Sequence, residues 1–91
     1  MRMEVKIRKL SDEELKELGV DSWPTWEKGV SEFDWYYDTN EDFYVLEGEV
    51  EVRTEDGKIY KFGEGDFVTF PKGVRCTWKV LKPIRKRYRL Y

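Results

Sequence analysis

The chain contains no histidine and only one cysteine, Cys76, among its 91 residues. A lone thiol forbids an internal disulfide, and without imidazoles no Cys/His cluster can hold a structural zinc. The same gap removes the commonest base for activating a nucleophilic thiol. Long apolar runs are also missing. The N-terminal stretch Met1-Arg2-Met3-Glu4-Val5-Lys6 sets charges between its apolar residues, the pattern of neither a signal peptide nor a membrane span. Charge of one sign is lacking too: 17 basic and 19 acidic side chains leave a net charge of -2, with no uniform field to draw nucleic acid or an anionic membrane. The expectation is a cytoplasmic protein with no nucleic-acid partner and no membrane association.

Aromatic and charged residues are abundant instead. Four Trp, six Tyr and five Phe make up 16% of the chain, so much of the single core available to so short a chain must be built from large rings. Charged residues reach 40%, against an average near 25%, a thermophile-like composition.

The pattern along the chain is that of short strands. Met3 to Ile7 alternates apolar and charged residues and predicts a half-buried edge strand. Ser11 before Asp12, Glu13 and Glu14 is a capping-box start, and Gly19 ends the helix about two turns later. Trp23-Pro24 excludes helix and central strand alike, and Trp23 and Trp26 are expected to close one side of the core.

Glu32 to Asp38 and Asp42 to Leu46 predict aromatic-rich strands around a Thr39-Asn40 turn, and Glu49 to Arg53 is the cleanest alternating strand. Asp56-Gly57 marks a hairpin into Lys58 to Phe62. Phe67 to Phe70, Arg75 to Leu81 and, beyond Lys82-Pro83, Arg85 to Tyr91 complete about eight short strands, an all-β sandwich or barrel with one short N-terminal helix. Residues 1–30 supply the first strand, the helix and an aromatic loop, and residues 31–91 the barrel.

Two spacings go beyond generic β patterning. Glu41 is followed by six residues and Gly48; Gly65 is followed by five residues, Pro71, one residue and Gly73. Glycines suit reversals that require positive φ, and Pro71 stiffens a corner. The pair resembles the two motifs of the cupin superfamily, with a match over Phe33 to Val80. The Trp35-Tyr36-Tyr37 lead-in is similar to the ureidoglycine-aminohydrolase-like and EutQ-like branch and to short stand-alone cupins. The resemblance implies a single-domain jelly-roll β-barrel. It also implies four motif positions, which metal-binding cupins fill with three histidines and a glutamate. Here those positions read Asp34, Tyr36, Glu41 and Cys76, so the imidazole-rich metal shell is excluded and no cofactor is expected.

If that register holds, Asp34, Tyr36, Glu41, Cys76 and Trp78 converge on the barrel interior, with Trp35 and Phe43 completing a ligand-binding wall. Glu41 reads either as a general base or metal ligand, or as a structural carboxylate paired with an arginine or tyrosine. Cys76 reads as a soft ligand or nucleophile, or as an inert buried thiol. Tyr36 is the hydroxyl partner for Glu41, which makes Glu41, Tyr36 and Cys76 the catalytic candidates. Asp34, Glu41 and Cys76 are the fallback ligands for a divalent ion.

Trp23, Trp26, Trp35, Trp78, Tyr36 and Tyr44 either stack on a planar ligand or fill the barrel. Alternation in Arg85-Lys86-Arg87-Tyr88-Arg89 puts Arg87 and Arg89 on one face and Lys86, Tyr88 and Leu90 on the other. The run therefore reads as a solvated or acid-paired edge opposite Glu47, Glu49 and Glu51. Three functions remain open: a small-molecule-binding cupin, a ureidoglycine-aminohydrolase-like enzyme on a small nitrogenous or acidic metabolite, and a homodimeric interaction module paired through exposed strand edges.

Overall fold

The computed structural model describes residues 4–91; Met1 to Met3, including the first residue of the expected Met3 to Ile7 strand, lie outside them. Among the described residues, seven strands and one α-helix follow in the order β1 (Lys6–Arg8), α1 (Asp12–Leu18), a 3-10 turn at Val20–Ser22, β2 (Thr25–Lys28), β3 (Ser31–Tyr36), β4 (Glu41–Thr54), β5 (Ile59–Gly63), β6 (Phe67–Phe70) and β7 (Arg75–Leu90). All strand pairings are antiparallel.

Two of these strands are long where the sequence predicts breaks. The expected Asp42 to Leu46 and Glu49 to Arg53 strands fuse into β4, and Arg75 to Leu81 joins Arg85 to Tyr91 across Pro83 in β7. The reason lies at one corner. The ladder between β4 and β7 slips its register between Val45 and Val50, so the strands bend without ending. Gly48 sits at that bend with φ 109°, where a Cβ would stand 2.5 Å from the Pro83 carbonyl oxygen and 2.7 Å from Ile84 Cα. Gly48 thus serves a close approach inside a strand and not the chain reversal expected of it. Asp56-Gly57 does make the predicted hairpin, pairing Val50 with Phe62 and Val52 with Tyr60.

The bend folds the sheet over on itself. The first half of β4 and the second half of β7 lie in the order β1, β6, β4, β7, β2, whereas their other halves pair with β5 and β3. Inward side chains from both layers meet in one core that includes Phe43, Val45, Val50, Val52, Phe62, Phe70, Trp78 and Ile84. Aromatic contacts run through it, with Phe43, Phe62 and Phe70 all within 6.1 Å of Trp78 between ring centroids.

The N-terminal segment covers the outer face of one layer. The capping box forms as expected, with Glu14 N donating to Ser11 Oγ at 3.1 Å and Ser11 N to Glu14 Oε1 at 3.0 Å; Gly19 ends the helix in the left-handed region. Leu15, Leu18, Val20 and Trp23 pack over Phe67 and Tyr44 in a second cluster. Trp23 and Trp26, expected together, therefore separate: Trp23 belongs to this outer cluster and Trp26 packs against the inner core. Asp42, buried on the same outer face, accepts from Arg89 at 2.8 Å, Thr69 at 2.8 Å and the Tyr91 hydroxyl at 3.1 Å, tying β6 and the end of β7 to β4.

Candidate functional site

Between β2, β3 and the second half of β7 the core opens into a cavity of about 230 Å³. Trp26, Phe33, Trp35, Tyr88 and Leu90 form its walls, and Tyr37, Glu41, Trp78 and Lys86 lie deeper. This volume falls below the roughly 300–1,000 Å³ of drug-sized sites, so the space suits a small molecule.

Strand register explains which side chains arrive there. On β3, Phe33 pairs with Trp78 and Trp35 with Cys76, so Phe33, Trp35 and, beyond the strand, Tyr37 share the inner side. Asp34 and Tyr36 then point outward. Both are exposed; Asp34 accepts from the Thr77 hydroxyl at 2.9 Å, and the Arg75 guanidinium lies 4.4 Å from the Tyr36 ring centre. The expected convergence of Asp34 and Tyr36 on the interior is therefore corrected by one residue of strand parity. Stacking of Phe33 on Trp78, 6.0 Å between ring centres, and burial of Tyr37 fix the register, and a one-residue slip would turn both out to solvent. Tyr37 takes the inward place expected of Tyr36.

Glu41, Phe43, Cys76 and Trp78 do face inward, as alternation predicts. Glu41 is paired, and its partner is a lysine. Lys86 Nζ donates to Glu41 Oε2 at 3.0 Å, with side chains only 6% and 8% exposed. The ammonium also lies 4.0 Å from the Phe43 ring centre, 4.8 Å from Trp26 and 4.9 Å from Trp78, a cage of π faces that favours a cation. Burial nonetheless lowers the Lys86 pKa, with the Glu41 charge pulling the other way. Alternation had placed Lys86 on the face shared with Tyr88 and Leu90. What it could not supply was that this face turns inward after the bend, beside buried Ile84. Of the other basic residues between Arg85 and Arg89, Arg89 pairs with Asp42, Arg87 donates to the Trp23 carbonyl and Arg85 pairs with Glu27 and Glu47, so within that run Arg85 alone meets one of the expected acids, while Glu49 and Glu51 pair with Lys82 and Lys61.

Tyr37 and Cys76 complete the floor. Burial, then the Glu41 charge, raises the Tyr37 hydroxyl well above its usual pKa. Burial pushes the Cys76 thiol up to about 11; the nearby Trp78 indole works the other way and the Asp34 charge adds to the rise. A thiol protonated at neutral pH is no nucleophile. The Trp78 indole N–H lies near the Cys76 sulfur and Tyr37 hydroxyl without hydrogen-bond geometry to either. Among the described residues its Nε1 is the one fully buried side-chain polar atom with no partner.

Cys76 also borders an outer groove with Asp34, Tyr36, Arg53, Thr54 and Arg75. The predicted site is thus divided between an interior cavity holding Glu41 and Trp78 and an outer surface holding Asp34 and Tyr36, with Trp35 and Cys76 at the boundary. The fallback metal set does not assemble: no three His, Cys, Asp or Glu side chains among the described residues surround a common position. With Asp34 turned outward and Glu41 neutralised by an ammonium, the residues present do not fit a cupin metal centre.

A bent, doubled antiparallel sheet with an aromatic-walled interior pocket defines a small jelly-roll barrel. The chain belongs to the EutQ-like cupin domain family, whose match spans residues 15–88. It is similar to a DUF861-family protein from Thermotoga maritima, at 68% identity over 97% of this chain and 100% of that one, with a TM-score of 0.96. It also resembles the ethanolamine utilization protein EutQ of Salmonella typhimurium, at 26% identity over 96% of this chain and 68% of that one, with a TM-score of 0.68. EutQ of Clostridium difficile, 24% identical over 96% of this chain and 67% of its own length, shares the fold with a TM-score of 0.69. No curated protein matches the chain. Among the described residues no helix is long and apolar enough to cross a membrane.

Proposed function

We propose that this cupin binds a small molecule in the interior cavity, with its polar end against Lys86, Glu41 and Trp78 and its body between Trp26, Phe33 and Trp35. The observation carrying this reading is the buried ion pair at the floor of an open pocket. Two desolvated charges give a fold little net stability compared with apolar residues of the same shape, whereas perturbed charged groups lining a cleft are what a binding site requires. The donor set lends no support to a metal-dependent ureidoglycine-aminohydrolase-like activity.

Thermal shift and tryptophan fluorescence against a panel of small metabolites test the proposal, because a ligand that binds only the folded state raises its melting temperature. The native chain is expected to respond to at least one compound, and the double variant Lys86→Met/Glu41→Leu to lose that response while still folding. A response kept by the double variant would move the binding site elsewhere.

The proposed state is a homodimer in the cytoplasm. Among the described residues β3 pairs only with β7, and it exposes Trp35 at 54% and Tyr36 at 46% beside its other edge. Light scattering on native chain and on Trp35→Ser/Tyr36→Ser is expected to give a dimer and a monomer respectively; a native monomer at working concentration removes the dimer and leaves the pocket untouched.

A further inference from the structure

We infer that Lys86 is a carbonyl-reactive amine, so that the cavity takes a small aldehyde or ketone with a flat apolar body and holds it as an imine. This rests on the pocket reading and adds chemistry to it. Two features of the cavity meet the demands of imine formation. The amine lines a cavity and is nearly water-free, the setting in which lysines become nucleophilic; its lowered pKa agrees. A proton acceptor, Glu41 Oε2, stands 3.0 Å from Nζ.

The ammonium gives one proton to Glu41. The freed lone pair forms a bond to the carbonyl carbon while the π pair moves onto oxygen, and one proton passes from nitrogen to that oxygen to give a neutral carbinolamine. Glu41 returns its proton to the hydroxyl, which leaves as water, and the nitrogen lone pair closes the C=N bond. The iminium keeps one N–H and the positive charge that Phe43, Trp26 and Trp78 favoured on the ammonium. No oxidant or reductant is consumed.

The test uses benzaldehyde with cyanoborohydride to trap the imine, benzyl alcohol as the unreactive isostere, and peptide mass mapping to locate the adduct. At limiting benzaldehyde, Lys86 is expected to be modified about tenfold faster than the exposed Lys28 and Lys58, and benzyl alcohol to protect it. Lys86→Arg, which keeps the cation, loses that adduct, and Glu41→Gln lowers the trapping rate relative to benzyl alcohol affinity. If benzyl alcohol shifts the tryptophan fluorescence but Lys86 reacts no faster than surface lysines, the amine chemistry is overturned and the pocket stands. If benzyl alcohol has no effect and Lys86 is not preferred, both fall for this class of compound.

Discussion

The interior cavity and the outer groove share β3 and the first half of β7, yet they treat polar groups in opposite ways. Inside, Glu41 and Lys86 are stripped of water and must satisfy each other. Outside, Asp34 and Arg75 remain exposed, Asp34 accepting from the Thr77 hydroxyl and Arg75 lying over the Tyr36 ring. The same residue types are therefore coupled to folding on one side of a strand and nearly independent of it on the other. Position relative to the pleat, more than chemical identity, decides which carboxylate in this chain has consequences.

The largest expected effect comes from breaking that contrast at its centre. Lys86→Met leaves the Glu41 carboxylate buried without a partner, and Glu41→Gln leaves the ammonium so; either is expected to destabilise by about 3–5 kcal/mol in denaturant unfolding. Lys86→Met/Glu41→Leu removes both charges and is expected to recover most of the loss. Asp34→Asn, across the strand, stays within about 0.5 kcal/mol of native. Equal losses for Asp34→Asn and Glu41→Gln would erase the distinction between the two regions.

A second comparison concerns the bend that creates the cavity. Gly48 and Gly57 both have positive φ, 109° and 86°, but a Cβ at Gly48 meets the Pro83 and Ile84 backbone below 3.0 Å, and one at Gly57 meets nothing within 4 Å. Gly57→Ala bears only the conformational cost, about 1–2 kcal/mol. Gly48→Ala adds an overlap that two backbones must relieve, and is expected to lose more stability than Gly57→Ala and to disturb the cavity response as well. Similar losses at both positions would show that the corner yields easily.

How much of this the sequence carried follows the same division. Local signals were legible: the Ser11 to Gly19 helix, the Asp56-Gly57 hairpin, and the inward sets Glu41, Phe43, Val45 and Cys76, Trp78, Val80 each depend on neighbours within a few residues. The bend was not. Gly48 and Pro83 both look like strand breakers until they are seen packed on each other, a relation between positions far apart in the chain. The parity of Asp34 and Tyr36 was lost because motif spacing was followed where the apolar content of Phe33 and Trp35 pointed the other way. Lys86 was missed as a site residue because a lysine in a basic run reads as solvated, and only the tertiary fold brings Glu41 and three rings around it.

The smallest effect joins the two regions. The Cys76 thiol keeps its proton to about pH 11 in the folded chain, against 9.0 for a free thiol. Between those values the unfolded chain has released a proton that the folded chain retains. The thiol's contribution to stability is therefore complete below about pH 9 and is lost as the pH rises towards 11, a slope that Cys76→Ala removes. Burial is the main cause, and the Asp34 charge in the groove adds to it. Asp34→Asn is thus expected to lower the thiol titration slightly, read by thiolate absorbance, while Glu41→Gln, which leaves the burial and the Asp34 charge in place, moves it less. A larger change with Glu41→Gln than with Asp34→Asn would mean that the thiol senses the cavity floor more than the groove, and the boundary between the two regions would have to be redrawn on the other side of Cys76.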